Sequence, residues 1–363
     1  AQEFGYPAEG GAEFVHGPAP VTRALMREAG LSLVPIEGTR WGARNGAFSP
    51  NESQLAHAAL LHRALSEVKS DLPVAEFLKT HFTNPQYAEL RDAVKRMVEG
   101  YDAADPDRAS TFALRDEWTG RGLSRQARIA GGYGALIKFL VSECRGQGTT
   151  IHLFSVVTAI EESRGRIAAY CNDGTIYEAD AAILAVPLPI LRDISLPHGV
   201  HEKVAASTDI GFGNVVKILL RFSTKWWTNC GGRDLSDLSF LFSSATVPVW
   251  WTQHPAEFPV LTGWFAGPKA DAVAQLTVSE LVTMGLDSSR RFSICLRTAL
   301  REISSPRKRS TGASMLSHAA LIPMPLPKHG KHRRRCENRM LALYSFLAKR
   351  CMPAGIWAQS KQR

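Results

Sequence analysis

One lysine stands within a run of aliphatic residues. In the segment GFGNVVKILLRF, residues 211–222, Lys217 follows two valines and precedes an isoleucine and two leucines. This composition predicts a buried strand. An ammonium among aliphatic side chains is costly unless it is hydrogen-bonded, so Lys217 needs a polar partner or a chemical role. The alternative is a lysine whose stem covers the strand while its ammonium reaches solvent.

A second candidate segment, AEGGAEFVHG at residues 8–17, combines small residues with a histidine. Gly10, Gly11 and Ala12 leave the backbone nearly bare, so a planar ring system could approach it closely, although a plain turn is the alternative. The imidazole of His16 could bind a substrate or exchange a proton near neutral pH, although a loop histidine is often structural.

Helical periodicity dominates the first part of the chain that must position these residues. Amphipathic spacing predicts helices over residues 20–31, 55–68, 74–82 and 87–98, and a glycine-led helix after residues 131–134. Together they predict a helical lobe from about residue 20 to residue 145.

The pattern then changes to period two. Residues 149–191 predict a hairpin around Asp173 and Gly174 and an apolar strand that ends at Pro187, and residues 210–266 form a second strand-rich block. We therefore expect an α/β or α+β fold whose domains interleave along the chain.

Length and composition fit a globular protein. The 363 residues allow about two domains, and 45% of them are hydrophobic. The longest apolar run, residues 181–191, is about half of what a membrane span needs. The first residues show no secretory signal, so we expect a cytoplasmic protein without a membrane span. The six cysteines show no metal-ligand spacing, so we expect free, buried thiols and no metal.

Positive charge is concentrated at the end of the chain. Residues 290–363 contain 17 Lys or Arg against two acids, whereas residues 1–289 carry a net charge of −6. A basic tail could bind nucleic acid or another anionic surface, although we do not expect nucleic acid to be the partner.

Four segments, taken in order, resemble the flavin-containing amine oxidase family, which includes the monoamine and polyamine oxidases. They are AEGGAEFVHG at residues 8–17, IAGGYGALIKFL at 129–140, the hairpin and following strand at 151–191, and GFGNVVKILLRFSTKWW at 211–227 with VLTGWFAGP at 260–268. The resemblance covers residues 1 to about 287.

The resemblance implies an FAD-dependent oxidoreductase that oxidises an amine to an imine with O₂ as acceptor. Lys217 matches the lysine that holds a water against the reactive edge of the flavin, and His16 matches a histidine near the amine in the polyamine oxidase branch. These two are the implied catalytic residues. The implied partners are a small-molecule amine and O₂.

The resemblance also implies the cofactor contacts. Gly10, Gly11, Ala12 and Glu13 match the segment that passes along the flavin ring. Val157 matches a residue by the adenine end of FAD, and Ala185 and Pro187 match the end of the strand beside the cofactor.

The implied fold is an incomplete two-domain amine oxidase. Residues 1–19 and 128–195 would be remnants of the FAD-binding domain. Residues 20–127 and 196–287 would form a substrate domain of a mixed sheet and helices, which includes the helical lobe. Residues 288–363 would be a basic, poorly ordered and out-of-frame tail.

Two features of the family are missing from the sequence. No G-x-G-x-x-G turn is present to hold the FAD pyrophosphate. The family's S-G-E motif near the C-terminus is also missing in this frame. Synonymous codons for residues 345–363, read from the third base of each codon, can give FSGEALYAGRDMGTVEAA, which resembles the family terminus. We therefore expect a chain truncated at its N-terminus and frame-shifted between residues 286 and 292.

Such a chain should be impaired or inactive as an oxidase. The alternatives are a non-catalytic fragment, a basic-tail anion or nucleic-acid binder and, within flavoproteins, a desaturase or porphyrinogen oxidase.

Overall fold

The computed structural model describes residues 4–44, 47–50, 56–118, 126–222, 224–230, 233–292 and 317–325. Its helices are α1 Pro20–Glu28, α2 Ala58–Glu67, α3 Val74–His81, α4 Ala88–Gly100, α5 Thr111–Trp118, α6 Tyr133–Gly146, α7 Leu188–Leu191, α8 His198–Ala206, α9 Pro268–Asp271 and α10 Val278–Phe292. The strands are β1 Val15–His16, β2 Leu33–Pro35, β3 Thr39–Arg44, β4 Ala47–Pro50, β5 Gln126–Ile129, β6 Val157–Ser163, β7 Arg166–Cys171, β8 Ile176–Ala179, β9 Ile210–Arg221, β10 Leu238–Ser243, β11 Val249–Trp251, β12 Val260–Ala266 and β13 Ser317–Pro325.

Helices α2 to α5 form the predicted helical lobe. Their apolar stripes meet in one core that includes Leu65, Phe77, Val94 and Leu114, each 1% exposed or less. Burial of such side chains stabilises the lobe by roughly 1.5–3 kcal/mol each. The residue range of the predicted lobe also contains β2 to β5, which belong to two β-sheets and not to this helical core. The helical periodicity did not predict them, because short strands carry too few residues to show a period.

A seven-stranded sheet carries Lys217. Its order is β13-β9-β12-β11-β10-β3-β4, antiparallel except for the parallel pair β10 and β3. The apolar residues of β9 and β12 pack with Trp227 and Trp250 into the largest core, which also takes in Leu281 of α10. Strand β9 is therefore buried, as its composition predicts.

Two smaller sheets complete the fold. Strand β5 pairs with β1 on one side and β2 on the other, and β6, β7 and β8 form an antiparallel meander. The turn between β7 and β8 lies at the predicted Asp173 and Gly174, with Gly174 at φ 84°. The segment before β6 is only partly buried, since Leu153 is 71% and Phe154 95% exposed.

Two expectations for this part of the fold differ from the structure. Residues 181–187 are not a strand, and Ile183 is 63% exposed, because no strand among the described residues pairs with their backbone. Strand β13 lies within the stretch expected to be a poorly ordered tail, yet it pairs with β9 from Ser317 to Pro325. The open edge of β9 supplies the unpaired N–H and C=O groups. The rest of that tail beyond Phe292 lies outside the described residues.

The described residues contain neither a membrane-spanning helix nor a group of metal ligands. No helix there is long and apolar enough to cross a membrane. No group of His, Cys, Asp or Glu in the same ranges could hold a metal ion. Cys144, Cys171 and Cys230 form no disulfide; Cys171 and Cys230 are buried as expected, whereas Cys144 is exposed on α6. Cys295, Cys336 and Cys351 lie outside the described ranges.

Candidate active site

The carboxylate of Glu13 is the centre of a buried polar network. Its Oε2 accepts hydrogen bonds from Lys217 Nζ at 2.7 Å and Trp251 Nε1 at 3.1 Å. Its Oε1 accepts from Arg128 Nε at 2.8 Å and Gln253 Nε2 at 3.1 Å. A carboxylate has about four acceptor positions, so these four donors satisfy both oxygens. The network joins the first segment of the chain to β5, β9 and the end of β11.

Lys217 is fully enclosed by this network. Its side chain is 2% exposed, and Nζ also donates to the carbonyl of Gly11 at 3.3 Å. The ammonium lies 5.5 Å from the centre of the Trp251 ring, within the range of a cation–π contact. Lys217 therefore has the polar partners that its buried position requires, and the alternative of a solvent-reaching ammonium does not hold.

Arg128 is the second cation of the network. Besides Glu13, its guanidinium donates to the carbonyls of Thr252 at 2.9 Å and His254 at 3.2 Å. Its Cζ lies 4.9 Å from the centre of the Phe14 ring. Sequence reasoning missed Arg128, and its only signal was a charge between the apolar residues of QARI.

The network carries more positive than negative charge. Burial alone would raise the pKa of Glu13, but the charges and hydrogen bonds of Lys217 and Arg128 outweigh burial and lower it. Glu13 is therefore ionised at neutral pH, and one carboxylate faces two cations.

The glycine segment lies at the exposed side of this network. Gly10 is half-buried, and Gly11 and Ala12 are exposed, whereas Glu13 is buried. A Cβ on Gly11 would meet no atom within 4 Å, so the space beside its backbone is open. A flat ring system fits this surface, and no side chain of Gly10 or Gly11 stands in its way.

The other end of the segment is fixed by Glu9. Its carboxylate accepts the backbone N–H of Tyr133 at the start of α6, after the left-handed Gly131 and Gly132. Gly132 has φ 78°, a left-handed conformation that L side chains rarely adopt, so glycine is favoured there. Burial raises the pKa of Glu9, while the Tyr133 hydrogen bond and the charge of Lys217 oppose the shift.

His16 lies beside Tyr101 rather than in the ionic network. Both the Tyr101 hydroxyl and Gln126 Nε2 are 3.2 Å from His16 Nδ1. Nδ1 accepts from the Gln126 NH₂ in this amide orientation and donates to Gln126 Oε1 in the flipped one, in which the buried Oε1 gains a partner. Desolvation lowers the pKa of His16, so its imidazole is neutral at pH 7, and burial raises the pKa of Tyr101 to about 12. The Phe14 ring, 6.0 Å from His16 and 5.5 Å from Trp251, connects the two groups.

A pair of carboxyl groups follows Tyr101. Burial, together with the charge and hydrogen bond of Glu117, raises the pKa of Asp102 to about 8. The Oδ2 atom of Asp102 is buried and has no hydrogen-bond partner among the described residues. Sequence reasoning missed this pair, because its members lie on α5 and after α4 and share no spacing.

The other predicted cofactor contacts, Val157, Ala185 and Pro187, lie outside the Glu13 network. Val157 is the first residue of β6 and is half-buried. Ala185 and Pro187 are exposed and immediately precede α7. The structure thus brings Lys217, Glu13 and Gly11 together, whereas it places Val157, Ala185 and Pro187 in a separate part of the fold.

The chain is similar to curated polyamine oxidases from plants. Polyamine oxidase 5 of Oryza sativa subsp. japonica is 28% identical over 261 residues, which are 62% of this chain and 51% of the relative. The chain therefore spans about half the length of the curated relatives it matches.

Two solved structures share the fold. Cyclohexylamine oxidase from Brevibacterium oxydans IH-35A has a TM-score of 0.64 at 14% identity, covering 88% of this chain and 77% of that one. A putrescine oxidase with bound putrescine has a TM-score of 0.60 at 17% identity, covering 88% and 78%. The expected fold class, an α/β flavin amine oxidase fold, is thereby confirmed.

A family match covers most of the chain. Residues 1–294 match the family described as flavin containing amine oxidoreductase. This stretch contains every predicted site residue and the whole Glu13 network. The chain, over these residues, belongs to the family of flavin-containing amine oxidoreductases.

Proposed function

We propose that this protein oxidises an amine to an imine with FAD as cofactor and O₂ as electron acceptor. One observation carries the proposal: the buried ammonium of Lys217 is hydrogen-bonded to the carbonyl of Gly11, directly behind the exposed backbone of residues 10–12. A flat ring on that backbone would have a fixed cation at its edge. When bound, FAD accepts the hydrogen and two electrons from the carbon next to the amine nitrogen and passes the electrons to O₂.

The residues of this chain have three tasks in that reaction. Gly10, Gly11 and Ala12 present a surface against which the ring lies. Lys217 orients a water molecule at the ring edge and handles the proton that O₂ reduction requires. The Trp251 ring beside the Lys217 ammonium and the Phe14 ring packed against Trp251 exclude bulk water and so strengthen the field of the cation.

His16 would bind the reacting amine. Amine oxidation needs a neutral nitrogen with a free lone pair, and a neutral imidazole does not repel an ammonium that must lose a proton. The lowered pKa of His16 suits this task, because a neutral ring adds no positive charge beside the amine.

Asp102 and Glu117 would bind a second ammonium group of the same substrate. A cation next to the pair would displace the proton that holds Asp102 neutral, and Asp102 directly follows Tyr101, which contacts His16. The rice relative is named a polyamine oxidase, and one solved neighbour has bound putrescine. We therefore favour diamines or polyamines over monoamines as the substrate class.

The test uses the 363-residue chain with added FAD. We expect putrescine or spermidine to bleach the visible flavin absorbance without O₂, and we expect air to restore it with release of H₂O₂. Lys217→Met should slow the restoration more than the bleaching, whereas Lys138→Met on the exposed face of α6 should change neither. A flavin-loaded protein that no amine bleaches would refute the proposal.

The chain should hold FAD weakly. Its sequence has no G-x-G-x-x-G turn, and the family's pyrophosphate is held by such a turn. We therefore propose that the oxidase activity of this chain is impaired and that added FAD is needed to measure it. Stoichiometric flavin after purification would contradict this part of the proposal.

A further inference from the structure

We propose that Glu13 is the positioning residue of this site: it holds the Lys217 ammonium in place and fixes the glycine segment to it. This inference rests on the proposed function only for the role of Lys217. The placement itself follows from contacts within the chain.

Glu13 has no free hydrogen-bond acceptor position. Both carboxylate oxygens already accept two hydrogen bonds each, at 2.7 and 3.1 Å on Oε2 and at 2.8 and 3.1 Å on Oε1. The side chain is 6% exposed. No acceptor position remains for a cofactor or substrate, so Glu13 acts through its neighbours and not by direct contact with reactants.

Lys217 donates two hydrogen bonds to one segment of the chain. Nζ donates to Glu13 Oε2 and also to the carbonyl of Gly11, two residues earlier in the chain. The ammonium therefore closes a short ring with the segment between these two acceptors. Because Glu9 fixes the other end of the segment to the start of α6, residues 9–13 are held at both ends.

Glu13 is the ion-pair partner of two buried cations. Lys217 is 2% exposed and Arg128 13% exposed, and Glu13 is the only carboxylate with an ion pair to either of them among the described residues. Without Glu13, two buried cations would face each other uncompensated. Loss of one partner from a buried ion pair is strongly destabilising for this reason.

The first experiment needs no cofactor. Lysine acylation of the purified chain, followed by mass spectrometry, reports the accessibility of each ammonium. In Glu13→Gln we expect Lys217 to be acylated at least tenfold faster than in the wild type. The matched control is Glu99→Gln, which removes the carboxylate that pairs at 2.9 Å with the already exposed Lys269 and should leave the acylation of Lys217 unchanged. Unchanged acylation of Lys217 in a folded Glu13→Gln protein would overturn the proposal.

A second variant covers the case in which Glu13→Gln fails to fold. Glu13→Gln with Lys217→Met restores the wild-type net charge of the network, because Lys217 and Glu13 lose one charge of each sign and Arg128 remains. The single Glu13→Gln change should lower the melting temperature by about 4–7 °C, as expected for a broken buried pair in a chain of this length. We expect the double variant to recover at least half of that loss. A double variant no more stable than Glu13→Gln would overturn the proposal.

The third measurement separates positioning from general stability. In FAD-loaded protein, Glu13→Gln should slow reoxidation by O₂ as much as Lys217→Met does, and the double variant should be no slower than either. Multiplied effects in the double variant would show that Glu13 does not act through Lys217. If no amine is oxidised, the proposed function fails, while the acylation and melting results still decide the role of Glu13.

Discussion

The Nζ atom of Lys217 lies 2.7 Å from Glu13 Oε2, although 204 residues separate the two in the chain. One residue is in the middle of the longest described strand, and the other follows an exposed glycine segment. Their contact brings the implied catalytic lysine and an implied cofactor-contact segment into one buried network. The site therefore depends on a long-range ion pair as much as on either motif.

Lys217→Met should destabilise the protein without unfolding it. The change removes a charged hydrogen bond from Glu13 but leaves Arg128 as its partner, so we expect a loss of about 1.5–3 kcal/mol. Thermal unfolding measured by calorimetry should show a melting temperature several degrees lower. The exposed Lys138→Met serves as control, and an equal loss in that variant would contradict the expectation.

Asp102→Asn should make the protein more stable at high pH. The pKa of Asp102 is raised from 3.8 to about 8 in the folded state, so the folded protein keeps a proton that the unfolded chain releases. The stability of the wild type therefore falls as pH rises from about 4 to about 8. Asparagine stays neutral and loses nothing over this window.

Melting temperatures of Asp102→Asn and the wild type, measured between these pH values, check this expectation. The difference in favour of the variant should grow with pH and level off above about 8. Asp92→Asn, an exposed change on α4, should show no such trend. Parallel curves for Asp102→Asn and the wild type would show that Asp102 is ionised throughout.

Gly11→Val should separate cofactor binding from folding. A Cβ at Gly11 would meet no atom within 4 Å, so we expect a stability change within about 0.5 kcal/mol. The branched side chain would occupy the space where a ring approaches, and FAD affinity should fall by at least about tenfold, or 1.4 kcal/mol. Fluorescence titration with FAD measures this. Gly134→Ala, at an equally open position on α6, should bind FAD as the wild type does.

Gly213→Ala should destabilise β9 strongly. The new Cβ would lie 1.7 Å from the carbonyl oxygen of Ala103, a backbone atom that cannot move independently. Overpacking of this kind costs about 1–3 kcal/mol or more, and we expect the upper end. Gly100→Ala, whose Cβ would lie 3.9 Å from Val249, is the control for thermal unfolding. A melting temperature for Gly213→Ala equal to that of the control would mean that β9 passes farther from Ala103.

Local patterns predicted much of the fold. Helices α2, α3, α4 and α6 have long amphipathic stripes, and β9 has a long apolar run, so their type is visible in the sequence. The failures have a local cause as well. Strands β2 to β5 are too short to show a period, and the apolar residues 181–187 look like a strand but have no paired neighbour in the described structure.

The sequence by itself determined that Lys217 needs a polar partner, that residues 10–12 offer a bare backbone, and that the chain belongs with flavin amine oxidases. Only the tertiary structure decided the partner. Glu13, Arg128, Trp251 and Gln253 come from segments far apart in the chain, and no spacing relates them. The cost of burying a charge is a property of one residue and its neighbours in sequence, whereas its compensation depends on which groups the fold brings within hydrogen-bond distance.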